Sequence, residues 1–278
     1  MGRVTTPAVP PTSPDPDTGP ADTVPDRRTA LRAGAGVAVG AFAAACSPGG
    51  SVVHRPLPSR AAGTSRTSSA APPPRSYPHQ PDQITHGPRD HPRVALTFHG
   101  QGDPGITRSI LDTAEKAGAK VTVLAVGTWL DDHPDVARRI VDGGHDLGNH
   151  TLHHRGINTM SESDATAEIQ GCADRLRRLT GSIGTWFRPS RAPRATDAVA
   201  RVARRVGYPH ILSYDVDSLD YTSPGAPAIT RRVVDEVRNG SVVSLHLGYP
   251  DTVTAFPVLL HELDHRGISA VTATELLS

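Results

Sequence analysis

From Arg93 onward the chain alternates short β-branched apolar runs with longer stretches in which apolar residues recur every three or four positions. The runs "VALTF" (94–98), "KVTVLAVG" (120–127), "HILSYDV" (210–216), "SVVSLHL" (241–247) and "ISAVTA" (268–273) read as strands. Ile106, Ile110, Leu111 and Ala114 follow at helical spacing, with Gly118 as a C-terminal stop. Pro134 opens a helix carrying Val136, Ile140 and Val141, which ends at Gly143-Gly144. A helix over 162–180 buries Ala165, Ile169, Cys172, Leu176 and Leu179, with Ser161 and Asp164 placed as a capping box. Further helices are predicted near 196–206, 226–239 and 254–265.

Repeated strand–helix units imply a parallel sheet with helices outside it. Roughly seven units suit an irregular, closed or nearly closed (β/α) barrel. A doubly wound open sheet is the alternative. Either architecture gathers ligands at the carboxyl ends of its strands. His99, His150, Arg188, Asp217, Asp220 and His246 all follow strand-like runs, so one pocket could collect them.

The first ninety residues lack this periodicity. Residues 1–26 are rich in Pro, Thr and Asp. Arg27 and Arg28 then precede an apolar run of small residues, Ala33 to Ala45, too short to span a bilayer and too rich in Gly and Ala for a core helix. Twin arginines in this layout resemble a twin-arginine export signal. The run closes on "AAAC", similar to a bacterial lipoprotein box with Cys46 as the lipidated residue; a plain secretory signal is the alternative. Residues 1–46 are thus assigned to the signal, 47–90 to a disordered Pro-, Ser- and Ala-rich linker, and 91–278 to the folded domain. The protein is expected to be exported, as an envelope lipoprotein held to the membrane by its N-terminal lipid or as a secreted monomer.

A net charge of +1 over 278 residues gives no field that would draw the chain to nucleic acid. The two lysines, Lys116 and Lys120, leave 27 of the 29 basic residues as arginine, spread along the chain. Cys46 and Cys172 are the two cysteines and make no disulfide framework.

The histidines are not spread evenly. "GHDLGNHTLHH" (144–154) holds four of the fourteen. His150 and His154, four apart on a helical turn, would lie on one side, about 5–6 Å apart at Cβ, where two imidazoles can share one ion. Thr151 could orient them, while His145 and His153 face solvent or neighbours.

Residues 91–278 resemble the polysaccharide deacetylase family, the NodB-homology domain of carbohydrate esterase family four. The resemblance rests on several motifs. "GHDLGNHTLHH" resembles the second, and implies His150 and His154 as metal ligands. "FRPSRAP" (187–193) resembles the third, with Arg188 as the brace of the catalytic base and Ser190-Arg191 in place of Pro-Tyr. "DVDSLDY" (215–221) resembles the fourth, with Asp220 as partner of the catalytic acid and Tyr221 in place of Trp. "GSVVSLHLG" (240–248) resembles the fifth; His246 matches the acid, and Ser244 and Leu247 replace Leu and Asp. Arg191 and Tyr221 fall where substrate would lie. For Asp217 a backbone-bound strand-end carboxylate is the competing reading.

The first motif breaks the pattern. "TFHGQGDP" (97–104) has His99 where the family places its general base and Gly100 where it places the third ligand. Asp103 falls in register with an Asp-Pro that trails the motif, not with a ligand. The resemblance implies a divalent ion, zinc first and cobalt or another ion next, and an acetylated glycan or peptidoglycan as substrate. His99 then has two possible parts. It serves as third ligand in a three-histidine site, or it stays off the metal and acts as base. Asp217 or Asp220 is expected to re-pair with Arg188. A carboxylate against His246 would keep it protonated near neutrality, as an acid requires. The expected function is metal-dependent removal of N- or O-linked acetyl groups from envelope or extracellular polysaccharide. The alternative is a weak or inactive lipoprotein of the same fold that binds glycan.

Overall fold

A computed structural model describes residues 70–278. The signal region, Cys46 and residues 47–69 of the linker assigned to 47–90 lie outside the described residues. The described residues form eight strands and eight α-helices. The strands are β1 (Gln83–Ile84), β2 (Arg93–Gly100), β3 (Thr122–Ala125), β4 (Asp146–Asn149), β5 (Ile211–Leu212), β6 (Val216–Asp217), β7 (Val242–His246) and β8 (Ser269–Val271). The helices are α1 (Pro104–Lys116), α2 (Gly127–Asp132), α3 (Pro134–Asp142), α4 (Glu162–Thr180), α5 (Asp197–Val206), α6 (Ala226–Glu236), α7 (Pro250–His265) and α8 (Ala273–Leu276).

Every ladder between these strands is parallel. The main order is β4-β3-β2-β7-β6, and β8 pairs with the start of β2. A single stretch, residues 211–217, joins the two edges. Phe187 bridges both Asn149 and Ile211, and Leu212 N–H donates to Phe187 O at 2.9 Å. At its other end Asp215 N–H donates to Val242 O at 3.1 Å, and β6 pairs with β7. The sheet therefore closes into an irregular barrel, as the strand–helix pattern implies. The doubly wound alternative is excluded by this closure.

Helix stops follow the local chemistry. Ser161 Oγ accepts the N–H of Asp164 at the start of α4, and Gly181 ends that helix in the left-handed conformation. Asp103 Oδ1 accepts Gly105 N–H at 2.6 Å and caps α1, so its carboxylate is committed away from any metal. The largest core cluster lies between the strands and helices α1, α2, α3, α4, α6 and α7, and includes Leu96, Phe98, Leu130, Val243 and Phe256.

Two expectations need correction. The domain does not start at residue 91, because part of the segment assigned to the linker is folded onto it. Ile84 is fully buried, β1 pairs with β5, and Tyr77 stacks on Trp186 with ring centroids 5.5 Å apart. Short apolar content hid this: one isoleucine and one tyrosine in a proline-rich stretch make no periodic signal. The second correction concerns "GHDLGNHTLHH". Its first half is strand β4, and His150 to His154 form a loop, not a helical turn.

The buried N-terminal segment has a measurable consequence. Ile84→Ala in residues 70–278 is expected to lower stability by about 2–5 kcal/mol. Truncation to 91–278 should lower it further. Denaturant unfolding of the three proteins checks this, and equal midpoints would contradict the packing.

Candidate functional site

Among the described residues, His99, His150, His154, Arg188, Asp220, Tyr221 and His246 gather at the carboxyl ends of β2, β4, β6 and β7. Register explains the first pairing. β2 and β7 run parallel with His99 opposite His246, so their rings stack with centroids 4.3 Å apart. β4 ends at Asn149, and His150 follows directly. His150 N–H donates to Ala125 O, which carries the chain across the end of β3.

The loop from His150 to His154 turns through two strained residues. Thr151 and His154 have φ of 68° and 54°, in the left-handed region. Several bonds hold them there. Thr151 N–H donates to Asn149 Oδ1 at 2.9 Å, and His154 N–H donates to Thr151 Oγ1 at 3.2 Å. Thr151 Oγ1 donates to Ser190 Oγ, whose own hydroxyl donates to Arg155 O. Glu168 supports the loop from α4. Its Oε2 accepts Leu152 N–H at 3.1 Å and His153 N–H at 2.8 Å, and its Oε1 meets His153 Nδ1 at 2.7 Å. The loop, not helical periodicity, thus brings the two imidazoles together, with ring centroids 4.9 Å apart.

His99 completes the group. One ring nitrogen from each of His99, His150 and His154 lies within 4.8 Å of the others, and all three residues are buried. No other such group of three or more His, Cys, Asp or Glu occurs among the described residues. His99 Nδ1 stands 2.9 Å from His150 Nε2. Two ligands on one tetrahedral zinc are about 3.3 Å apart for bonds of 2.0–2.1 Å, so a few tenths of an ångström of adjustment suffices. His150 Nδ1 faces Arg188 O at 3.1 Å. A carbonyl only accepts, so that nitrogen carries the proton and Nε2 presents its lone pair to the triad. Neutral nitrogen donors, buried and converging, suit a borderline divalent ion.

Gly100 does not face this group. A Cβ there would lie 2.8 Å from Val123 Cγ1 and 3.0 Å from Ala125 Cα, against β3. The pairing of β2 with β3 runs on through Gly100 and Ala125, which fixes that direction.

His246 and Asp220 form a separate buried pair. Asp220 Oδ1 meets His246 Nδ1 at 2.7 Å, while Oδ2 accepts His246 N–H at 2.8 Å and Thr252 Oγ1 at 2.7 Å. Asp217 accepts Leu219 N–H at 3.1 Å, in line with the backbone-bound reading; burial holds its carboxyl above the usual range. The hydrogen bonds of Asp217 and Asp220 run to Leu219, His246 and Thr252, where Arg188 was the expected partner. Arg188 instead donates to Leu212 O, Ser213 O and Thr97 Oγ1 inside the barrel, and its Nη1 stands 3.4 Å from His99 Nε2.

The rim differs from the expectation in one place. Tyr221 lies beside His246, with ring centroids 5.2 Å apart, close enough to line a substrate path. Arg191 is exposed, and its Nε donates to His154 O at 3.1 Å, so it braces the loop. Three contributing residues escaped sequence reading. Ser190 and Ser244 counted only as departures from the family motifs. Glu168 lies on the apolar stripe of α4, three residues after Ala165 and four before Cys172, and an acid on that stripe was the available signal.

Comparison with known proteins identifies the family. The family model described as polysaccharide deacetylase matches residues 86–211. A peptidoglycan-N-acetylglucosamine deacetylase of Bacillus cereus is 30% identical over 194 residues, which cover 68% of this chain and 90% of that protein. The chain spans 38% of a peptidoglycan-N-acetylglucosamine deacetylase of Listeria monocytogenes, at 26% identity over 66% of its own length. Among solved structures, a mutant with restored enzymatic activity of a family-four pseudoenzyme from Bacillus anthracis superposes with a TM-score of 0.67 at 25% identity, over 72% of each chain. Motifs, barrel and matches together show that the chain belongs to the polysaccharide deacetylase family.

Proposed function

We propose that the protein is a metal-dependent hydrolase that removes acetyl groups from an acetylated envelope glycan, with peptidoglycan as the leading substrate. The observation that carries the reading is the convergence of His99, His150 and His154 beside the His246–Asp220 pair. His150 and His154 hold the ion, with His99 Nδ1 as the third ligand. Three histidines with one open position make a known catalytic zinc arrangement, so zinc is the favoured ion. Bound there, the ion supplies polarisation of the acetyl carbonyl and a water of lowered pKa.

The protein's own groups do the remaining work. Asp220 holds Nδ1 of His246 and so orients its ring, leaving Nε2 to carry a proton to the departing amine. Arg188 keeps His150 oriented through its carbonyl and closes the barrel wall beneath the triad. Tyr221 borders His246 on the substrate side. With His99 on the ion, no side chain takes the general-base position of the family, and loss of a base costs roughly 10²–10⁴ in rate. A slow deacetylase is the consequence. Peptidoglycan lies outside the cytoplasm, which agrees with an export signal ahead of Cys46 and with a lipid anchor at that residue.

One observation favours a second reading. His99 and Gly100 replace both acids of the first motif, and a fold neighbour is called a pseudoenzyme. An inactive, glycan-binding protein would share that pattern.

Metal content and turnover separate the two. Residues 70–278 should purify with close to one equivalent of zinc after zinc loading and should release acetate from peptidoglycan or acetylated chitooligosaccharides. His246→Ala should keep the metal and lose on the order of 10²-fold or more in turnover. Neither metal nor acetate with any glycan tested would leave the binding reading. Glu168→Gln removes the carboxylate that grips the ligand loop, and zinc affinity measured by chelator competition should fall roughly 10–100-fold. Unchanged affinity would show that the loop holds its shape without Glu168.

A further inference from the structure

Ser244 stands on β7, one pair of positions before His246, and is buried against His99. Its Oγ lies 3.1 Å from His99 Nε2. We propose that Ser244 is a positioning residue that sets the tautomer of His99 and so makes it competent as a metal ligand. The proposal rests on the reading of His99 as third ligand.

A neutral imidazole has one N–H and one lone pair. A ligand histidine presents the lone pair to the ion, and its other nitrogen donates to a fixed acceptor. His150 meets this rule through Arg188 O. His99 is turned the other way round. Its Nδ1 faces His150 Nε2 at 2.9 Å and donates to it while no ion is bound; with an ion at the triad Nδ1 must give its lone pair, and the proton must sit on Nε2.

Two groups face that Nε2, and they make opposite demands. Arg188 Nη1, 3.4 Å away, is a cationic donor with no acceptor capacity. It favours a lone pair on Nε2, which would put the proton on Nδ1 and block ligation. The guanidinium has little freedom to withdraw, because Nε and Nη2 are bonded to Leu212 O, Ser213 O and Thr97 Oγ1. Ser244 Oγ can accept the Nε2 proton and turn its own hydrogen aside. A leucine, which the family carries at this place, offers no acceptor at all. The serine hydroxyl is thus the acceptor within reach of Nε2 that a ligating His99 needs.

The test uses residues 70–278 as wild type, Ser244→Ala, Ser244→Thr and His99→Ala. Zinc affinity is measured by competition with a chromogenic chelator, and the ring nitrogens of His99 by ¹⁵N NMR of the zinc-loaded wild type. Ser244→Ala should bind zinc roughly 10–100-fold more weakly, with thermal melting of the zinc-stripped protein unchanged. Ser244→Thr should restore most of the affinity, and the NMR spectrum should show the proton on Nε2. If Ser244→Ala binds zinc as tightly as wild type while His99→Ala loses it, the role of Ser244 is overturned and His99 remains a ligand. If His99→Ala itself keeps full affinity, the ligand reading falls and this inference with it.

Discussion

A fully buried guanidinium ties the barrel together beneath the site. Arg188 bonds to main-chain carbonyls of Leu212 and Ser213 and to the Thr97 hydroxyl, and so joins β2, the Phe187 bridge and the stretch that links β5 to β6. An unpaired buried charge would be costly, so these acceptors are a condition of the fold. The same residue meets the chemistry at two points. Its carbonyl orients His150 and its Nη1 reaches His99. Barrel closure and the placement of these imidazoles are thus one problem, solved by one residue.

Around that arginine the site is assembled from strained loops. All five non-glycine residues with left-handed φ among the described residues lie in the loops that carry it: Thr151 and His154, Arg191, Leu219 and Ser223. Such conformations cost of order 1–3 kcal/mol each and persist only where surrounding bonds impose them. Here those bonds are visible. Asn149, Glu168 and Ser190 hold the histidine loop, and Asp217 and Ser218 hold the turn into Asp220. The imidazoles are accordingly arranged in advance of any ligand they receive.

Replacing a carboxylate pair with His99 and Gly100 changes the character of the site. Charged oxygen donors give way to a neutral nitrogen, while glycine lets β2 and β3 stay tightly paired at a point where a Cβ would intrude. Two further departures from the family motifs touch this region. Ser244 gives His99 a polar contact, and Ser190 links the histidine loop to the segment after Arg188. Departures that look independent along the chain are in contact in space.

Much of this was legible in the order of residues alone. Strand and helix periods, Pro134, Gly118 and Ser161 mark the (β/α) units, because these signals depend on near neighbours. The motif histidines, Asp220 and Arg188 were identifiable through the family resemblance, which rests on residues close together along the chain. What remained hidden was whatever depends on register or on distant contacts. The packing of Ile84 and Tyr77, the support of Glu168, the outward use of Arg191 and the meeting of Ser244 with His99 join positions 15 to 145 residues apart. Chain order specifies which groups are available; only the closed barrel decides which of them touch, because a parallel register aligns residues with no nearness in sequence.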